Sequence, residues 1–349
     1  RPQPPRHWLR KRAPLAPELV SLLAERTEGN PLFVEQIAVA LRERGASLRS
    51  TEAGRLPLPL SVEAAIQARL DDLPEAAREA CRRASLFGRP VRLDELIALG
   101  APETTSPAAL LVSRGLMKAQ GGGGGSGAHE LRFRSSLIAA VAYRMIAPEL
   151  RAELHRRAAT VLLTEPGYDA AEVALHLERG ERPAEAAESY ADAALESVAR
   201  GDADRVLRCS ALALELGVRD ERRFALHVAR ADTHRFLRQP TEQTAEVARA
   251  LTLARTAAER AYVLTEQVSL AVRRGESAEA LALSELAVAE ADRSEDVDRR
   301  GLARAIRARA LAMAGEPERA SQELLDARLL AHARRTVRDY GQLPEWNPY

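Results

Sequence analysis

Apolar positions recur at helical spacing along most of this chain, and the few places where the period changes mark its organisation. Leu19, Leu22 and Leu23 share one face of a predicted helix that begins at Pro17, and Val34, Ile37, Ala38 and Leu41 form the apolar stripe of the next. Between them, Gly29 leaves room for a turn. Asn30 is a good N-cap, and Pro31 fits the first helical position, where a missing N–H costs nothing. Gly45 closes that second helix after Arg42 and Arg44. Pro57 and Pro59 then bias Leu56 and Leu58 toward extended backbone. Ser61 is the expected cap of a helix carrying Val62, Ile66, Leu70 and Leu73, and Pro74 opens another that runs to about Phe87. Short helices are expected around Leu93 to Leu99 and Pro107 to Arg114.

After Gly115 the period changes. Leu116 to Ala119 and Glu130 to Arg134 are the strand candidates, separated by the glycine run Gly121 to Gly127. Helices followed by such a ribbon read as a winged helix with a flexible wing tip. The glycine run is either native or an engineered replacement for a loop; the sequence leaves both open. Helical spacing returns in Leu137, Val141 and Met145, and again in Leu150, Leu154, Ala158 and Leu162.

From Ala170 to about Tyr340 the chain repeats. Turn signals fall at Arg200-Gly201-Asp202, Arg238-Gln239-Pro240, Arg274-Gly275-Glu276 and Ala314-Gly315-Glu316. With Gly201, Gln239, Gly275 and Gly315 as anchors, they are 38, 36 and 40 residues apart. That is the period of a helix pair. Alanine-rich second helices are expected over Ala245 to Ala254, Ala278 to Ala291 and Glu318 to Ala331, with Phe224, Val228, Leu264 and Val268 filling the space between pairs. One short pair cannot bury its own faces, so stacking has to supply the core.

The predicted fold is therefore all-α with one small β-ribbon: a helical lid subdomain with a basic lead-in (1–50), a winged-helix domain (58–147, wing about 116–134), tetratricopeptide-like helical repeats forming a superhelix (148–340), and a tail (341–349). Composition agrees, with 46% hydrophobic but only 4% aromatic residues. Basic and acidic residues number 51 and 50, so no global field draws the chain to nucleic acid or membrane. Cys81 and Cys209 have no metal-like or redox spacing, which points to a reducing, cytoplasmic setting. No membrane-length apolar run and no signal peptide is visible. The first residue is Arg1 rather than Met, and the expectation is a piece of a longer protein.

Candidate chemistry is sparse. No stretch supplies G-x-x-x-x-G-K-[ST], so the lysine and hydroxyl that hold phosphate and magnesium are missing. His227 and His234 are seven apart on one predicted helix, without a third ligand, and read as polar surface. His155 and His176 read as packed or solvated, and Cys81 as core. The helix around Pro107 to Arg114 offers Ala108, Ala109, Leu110, Leu111 and Val112 with Arg114 as its one charge, a poor reader of bases or phosphates.

Several segments in one order resemble a known family. Glu28-Gly29-Asn30-Pro31-Leu32-Phe33-Val34-Glu35, then Leu58-Pro59-Leu60-Ser61-Val62-Glu63-Ala64-Ala65-Ile66-Gln67-Ala68-Arg69-Leu70, are similar to the lid and linker of bacterial STAND-type ATPases, such as large LuxR-type regulators and kinase- or cyclase-associated ATPase modules. Leu131-Arg132-Phe133-Arg134, Leu137-Ile138, Ala142-Tyr143 and Glu153-Leu154-His155-Arg156-Arg157-Ala158-Ala159 resemble that family's winged-helix end and the helix leading into its arm. The resemblance implies a missing upstream nucleotide-binding domain that carries ATP or ADP and Mg. Gly29, Asn30 and Pro31 would then form the lid side of the nucleotide site. Relatives commonly have His where this chain has Ser135, which puts a phosphate-sensing role there in doubt.

The expected function is regulatory. The arm would bind a protein, peptide or small effector and control nucleotide-dependent switching of the parent protein, with self-association open, DNA disfavoured and no membrane partner. The chain by itself is expected to be no enzyme and to hold no cofactor. The alternatives are a DNA-binding winged-helix transcriptional regulator and a stand-alone helical-repeat scaffold.

Overall fold

The computed structural model describes residues 60–101, 105–121 and 129–340, so the expected lid, with Gly29, Asn30 and Pro31, lies outside the described residues. The chain divides into two compact units. One holds the described residues up to Tyr168 together with 179–181; the other holds 169–178 and everything from Arg182 onward.

In the first unit the helices are α1 (Leu60–Asp71), α2 (Glu75–Ala84), α3 (Leu93–Ala98), α4 (Thr105–Ser113), α5 (Ser136–Arg144) and α6 (Pro148–Leu163). α1 opens at Leu60, one residue ahead of the expected cap at Ser61. A three-stranded antiparallel sheet accompanies them: β1 (Val91–Arg92), β2 (Met117–Gly121) and β3 (His129–Phe133), in the order β1-β3-β2. The expected ribbon is β2 paired with β3, Met117 facing Phe133 and Ala119 facing Leu131. β1 is an addition to the expectation. With two residues it shows no alternation, and it is defined by the pairing of Val91 with Leu131 and of Arg92 with Glu130. Ile66, Leu70, Leu96, Leu111, Leu116 and Leu137 form the fully buried centre of the unit. Ser135 caps α5, its hydroxyl accepting from the Leu137 amide.

The second unit is a helical-repeat arm. α7 (Ala170–Arg179) leads into four helix pairs among the described residues: α8 (Pro183–Arg200) with α9 (Ala203–Glu215), α10 (Asp220–Phe236) with α11 (Pro240–Leu253), α12 (Ala257–Arg274) with α13 (Ser277–Arg293), and α14 (Val297–Met313) with α15 (Pro317–Tyr340). Each pair folds back at one of the expected turns. Gly201, Gly275 and Gly315 have positive φ there, whereas at the second turn the positive φ belongs to Arg238 (58°), not to Gln239.

Alanine sets the spacing of the arm. Ala186, Ala187, Ala191, Ala193 and Ala194 of α8 are completely buried, so backbones approach closely and dispersion replaces bulk. The larger residues sit where expected. Phe224 and Val228 pack with Val247 and Val263, Leu264 with Ala287 and Val288, and Val268 with Ala280 and Ala310. Among the described residues no helix is long and apolar enough to cross a membrane.

Candidate functional site

The first helices of successive pairs are linked by polar side chains. Arg222, near the start of α10, donates to Asp192 of α8 at 2.6 Å, and Arg219 just ahead of that helix donates to Glu188 at 2.9 Å. Asp232, near the other end of α10, accepts from the Tyr262 hydroxyl of α12 at 3.1 Å. The Arg299 guanidinium of α14 lies over the Tyr262 ring, 4.4 Å from its centroid. Burial, and then the nearby Asp232 and Glu266 charges, push the Tyr262 hydroxyl well above its ordinary range, so it remains a donor. Burial likewise raises the Glu266 carboxyl; Arg235 opposes the shift and Asp232 adds to it.

A second polar cluster lies deeper. Glu246 of α11 is 3% exposed; its carboxylate meets His227 Nδ1 at 2.6 Å, Arg230 Nε at 3.0 Å and Arg249 at 2.9 Å. Burial opposes ionisation of Glu246, but the His227 and Arg230 contacts win and hold its pKa down to about 2. This corrects the reading of His227 and His234 as polar surface. Both are buried, and His234 Nδ1 contacts Gln239 Oε1 at 2.8 Å beside the second turn. Their spacing is structural: His227 meets Glu246 of α11, and His234 meets Gln239 at the turn that leads into it.

In the first unit His155 is fully buried and its Nε2 lies 2.9 Å from the Tyr143 hydroxyl. Burial, with help from Arg179 and Arg151, lowers its pKa to about 4, so the ring is neutral at pH 7. Arg151 stacks over Tyr143 at 4.6 Å. His176 is buried as well. Cys81 is a core residue whose thiol burial pushes up to about 12, which leaves it inert as a nucleophile. Among the described residues, no three His, Cys, Asp or Glu side chains are grouped to hold a metal ion.

One concavity on the arm joins apolar space to a charge. A cavity of about 180 Å³ lies between the C-terminal turn of α8, the α8–α9 turn and the end of α10, and Asp232 forms part of its wall. Sequence reasoning missed it because its lining comes from three helix ends that no single period relates. The visible signal was Gly201, which marks the turn but not the space beside it.

No protein-family model matches the chain, and no curated protein sequence matches it. Among solved structures it is similar to a signal transduction ATPase with numerous domains that carries a tetratricopeptide repeat sensor, from Pyrococcus horikoshii. Identity is 15% and the TM-score 0.33, over 93% of this chain and 52% of that one. It is also similar to BtubC from P. vanneervenii, at 15% identity and a TM-score of 0.34, over 82% of this chain and 97% of that one. The chain thus spans about half the length of the Pyrococcus protein.

Proposed function

We propose that this chain is the regulatory segment of a STAND-type signalling ATPase, and that its helical-repeat arm binds a protein, peptide or small effector. The carrying observation is that first helices of neighbouring pairs touch one another directly through polar side chains, by the hydrogen bonds of Arg222 with Asp192 and Tyr262 with Asp232 and by the stacking of Arg299 over Tyr262. A ligand that touches one pair therefore acts on the packing of the next. It shifts a closed, nucleotide-holding state toward an open one to the extent that it binds the two with different affinity. Nucleotide and Mg belong to an upstream domain in this reading, with Gly29, Asn30 and Pro31 on the lid side. The winged-helix portion acts as a coupling element rather than a DNA reader, because the exposed side of α4 presents Ala109, Val112 and Ser113, and Arg114 beyond it pairs with Asp72 at 3.1 Å.

The test joins the chain to the coding sequence upstream of Arg1 and measures ADP retention. A P-loop in that sequence is expected, together with a change in ADP release of roughly fivefold or more on Arg222→Glu, which breaks the link between α8 and α10. The chain by itself is expected to turn over no ATP. ADP release indifferent to the arm would overturn the proposal, as would turnover by the isolated chain that survives repurification and depends on one of its own residues.

A further inference from the structure

The cavity at the end of α10 has a lining whose chemistry is one-sided. Its apolar wall includes Val198, Ala203, Val206 and Phe236. Phe236 is 78% exposed, the most exposed large apolar side chain among the described residues. The space, about 180 Å³, slightly exceeds the roughly 150 Å³ that accepts a benzene ring in an apolar protein cavity.

Both hydroxyls in the lining have their protons committed elsewhere, and the third polar side chain, Asp232, only accepts. The Ser197 hydroxyl donates to Ala193 O at 2.6 Å and the Thr233 hydroxyl to Ala229 O at 2.7 Å. Asp232 is a carboxylate, with one oxygen accepting from Arg235 at 2.8 Å and the other from Tyr262 at 3.1 Å. Each of these oxygens keeps a second acceptor site. The turn amides are engaged as well, Gly201 to Val198 O, Asp202 to Ser197 O and Ala203 to Gly201 O. Arg235, the cation bound to Asp232, lies outside the lining and is half in water. The C-terminal turns of α8 and α10 add two negative dipole ends against the single N-terminus of α9, which Asp202 already caps.

We propose that this cavity binds an arylalkylammonium group, one aromatic ring joined by a short chain to a protonated amine. The ring packs against Val198, Val206 and Phe236, and the ammonium donates to Asp232 and the neighbouring hydroxyl oxygens. The lining offers no donor to a carboxylate or phosphate, so an anionic ring compound finds no partner there. Tyr262, held by Arg299, fixes the Asp232 carboxylate from outside and connects the cavity to the next pair.

This assignment deepens the reading of the arm as an effector-binding element, yet its test needs no nucleotide. The full chain is titrated with phenethylamine, 3-phenylpropionate and butylamine while the amide resonances of Val198, Val206 and Thr233 are followed. Phenethylamine is expected to saturate, with a dissociation constant on the order of 1 mM. The other two probes are expected to bind at least about tenfold more weakly, one for its charge and the other for its missing ring. Ala203→Phe, at the half-buried first position of α9, fills the space and abolishes binding. Asp232→Asn lowers phenethylamine affinity by about tenfold, and an unchanged circular dichroism melt shows that each variant folds. Equal binding of 3-phenylpropionate, absence of saturation in the native chain, or binding undiminished by Ala203→Phe would overturn the assignment. Failure here leaves the nucleotide coupling of the arm untouched, and failure of that coupling leaves the cavity chemistry standing.

Discussion

Glu246 is a buried carboxylate of the arm, held by three basic side chains. It is shut off from water, and only the hydrogen bonds and charges of His227, Arg230 and Arg249 make its ionised form tolerable. Glu246→Ala leaves those groups facing an empty site and is expected to cost about 3–5 kcal/mol in urea unfolding at pH 7. The pH dependence has a definite sign. The folded pKa of about 2 lies below the ordinary glutamate value of 4.5, so the unfolded chain binds the proton more readily. The contribution, about 3 kcal/mol, is complete above pH 4.5 and is lost as pH falls toward 2; Glu246→Gln removes that slope. Stability that rose on acidification through this window would refute the assignment. Almost none of this was legible beforehand. A seven-residue spacing puts His227 and His234 on one face of α10, but it does not say whether that face meets water or α11, and Glu246 lies on the other helix.

Elements were read more successfully than residues, because helix turns have a local cause. Gly201, Gly275 and Gly315 sit at φ near +70° to +80°, where a side chain clashes with its own backbone, so glycine announces the turn in the sequence. Arg238 takes the same kind of conformation at +58° without announcing it, so the sequence pattern points to Gln239, one residue late. The two cases make opposite predictions. A Cβ added at Gly275 meets nothing within 4 Å, so Gly275→Ala carries only the backbone penalty and is expected to destabilise the arm by about 1 kcal/mol. Arg238→Gly relieves a comparable strain while loosening the unfolded chain, and is expected to be neutral or stabilising by up to about 0.5 kcal/mol. Calorimetric melts of both variants give the comparison, and a loss on Arg238→Gly as large as that on Gly275→Ala would contradict it. The change of pattern that marks β2 and β3 has no counterpart at β1, because two residues cannot show a period. The cavity beside Gly201 was illegible because three helix ends build it, and the resemblance at Gly29, Asn30 and Pro31 falls on residues outside those described.

At the scale of the molecule the two units carry different acid sensitivities, and the charge balance makes them separable. With 51 basic and 50 acidic residues the chain is near neutral at pH 7, and between pH 6.5 and 4.5 few groups other than its 7 histidines titrate in their ordinary range. General charge repulsion therefore grows mainly below that interval, once the carboxylates protonate. Within it, the first unit has a specific weakness. His155 is held neutral with a folded pKa of about 4 against an ordinary 6.5, so the unfolded state binds the proton first. Its contribution is whole above pH 6.5 and is lost as pH falls toward 4. In the arm, Glu246 begins to lose its contribution only below 4.5. Hydrogen exchange followed by mass spectrometry at pH 7, 5.5 and 4, corrected for intrinsic exchange rates, separates peptides of α5 and α6 from those of α10 and α11. Protection of α5 and α6 is expected to decline across that range while α10 and α11 hold theirs to about pH 4.5. If α10 and α11 opened first, or both units lost protection together, the buried neutral histidine would not be what limits the first unit. An ordered loss would mean instead that mild acid loosens the unit around Tyr143 and His155 while the helix pairs of the arm, and the cavity at the end of α10, remain packed.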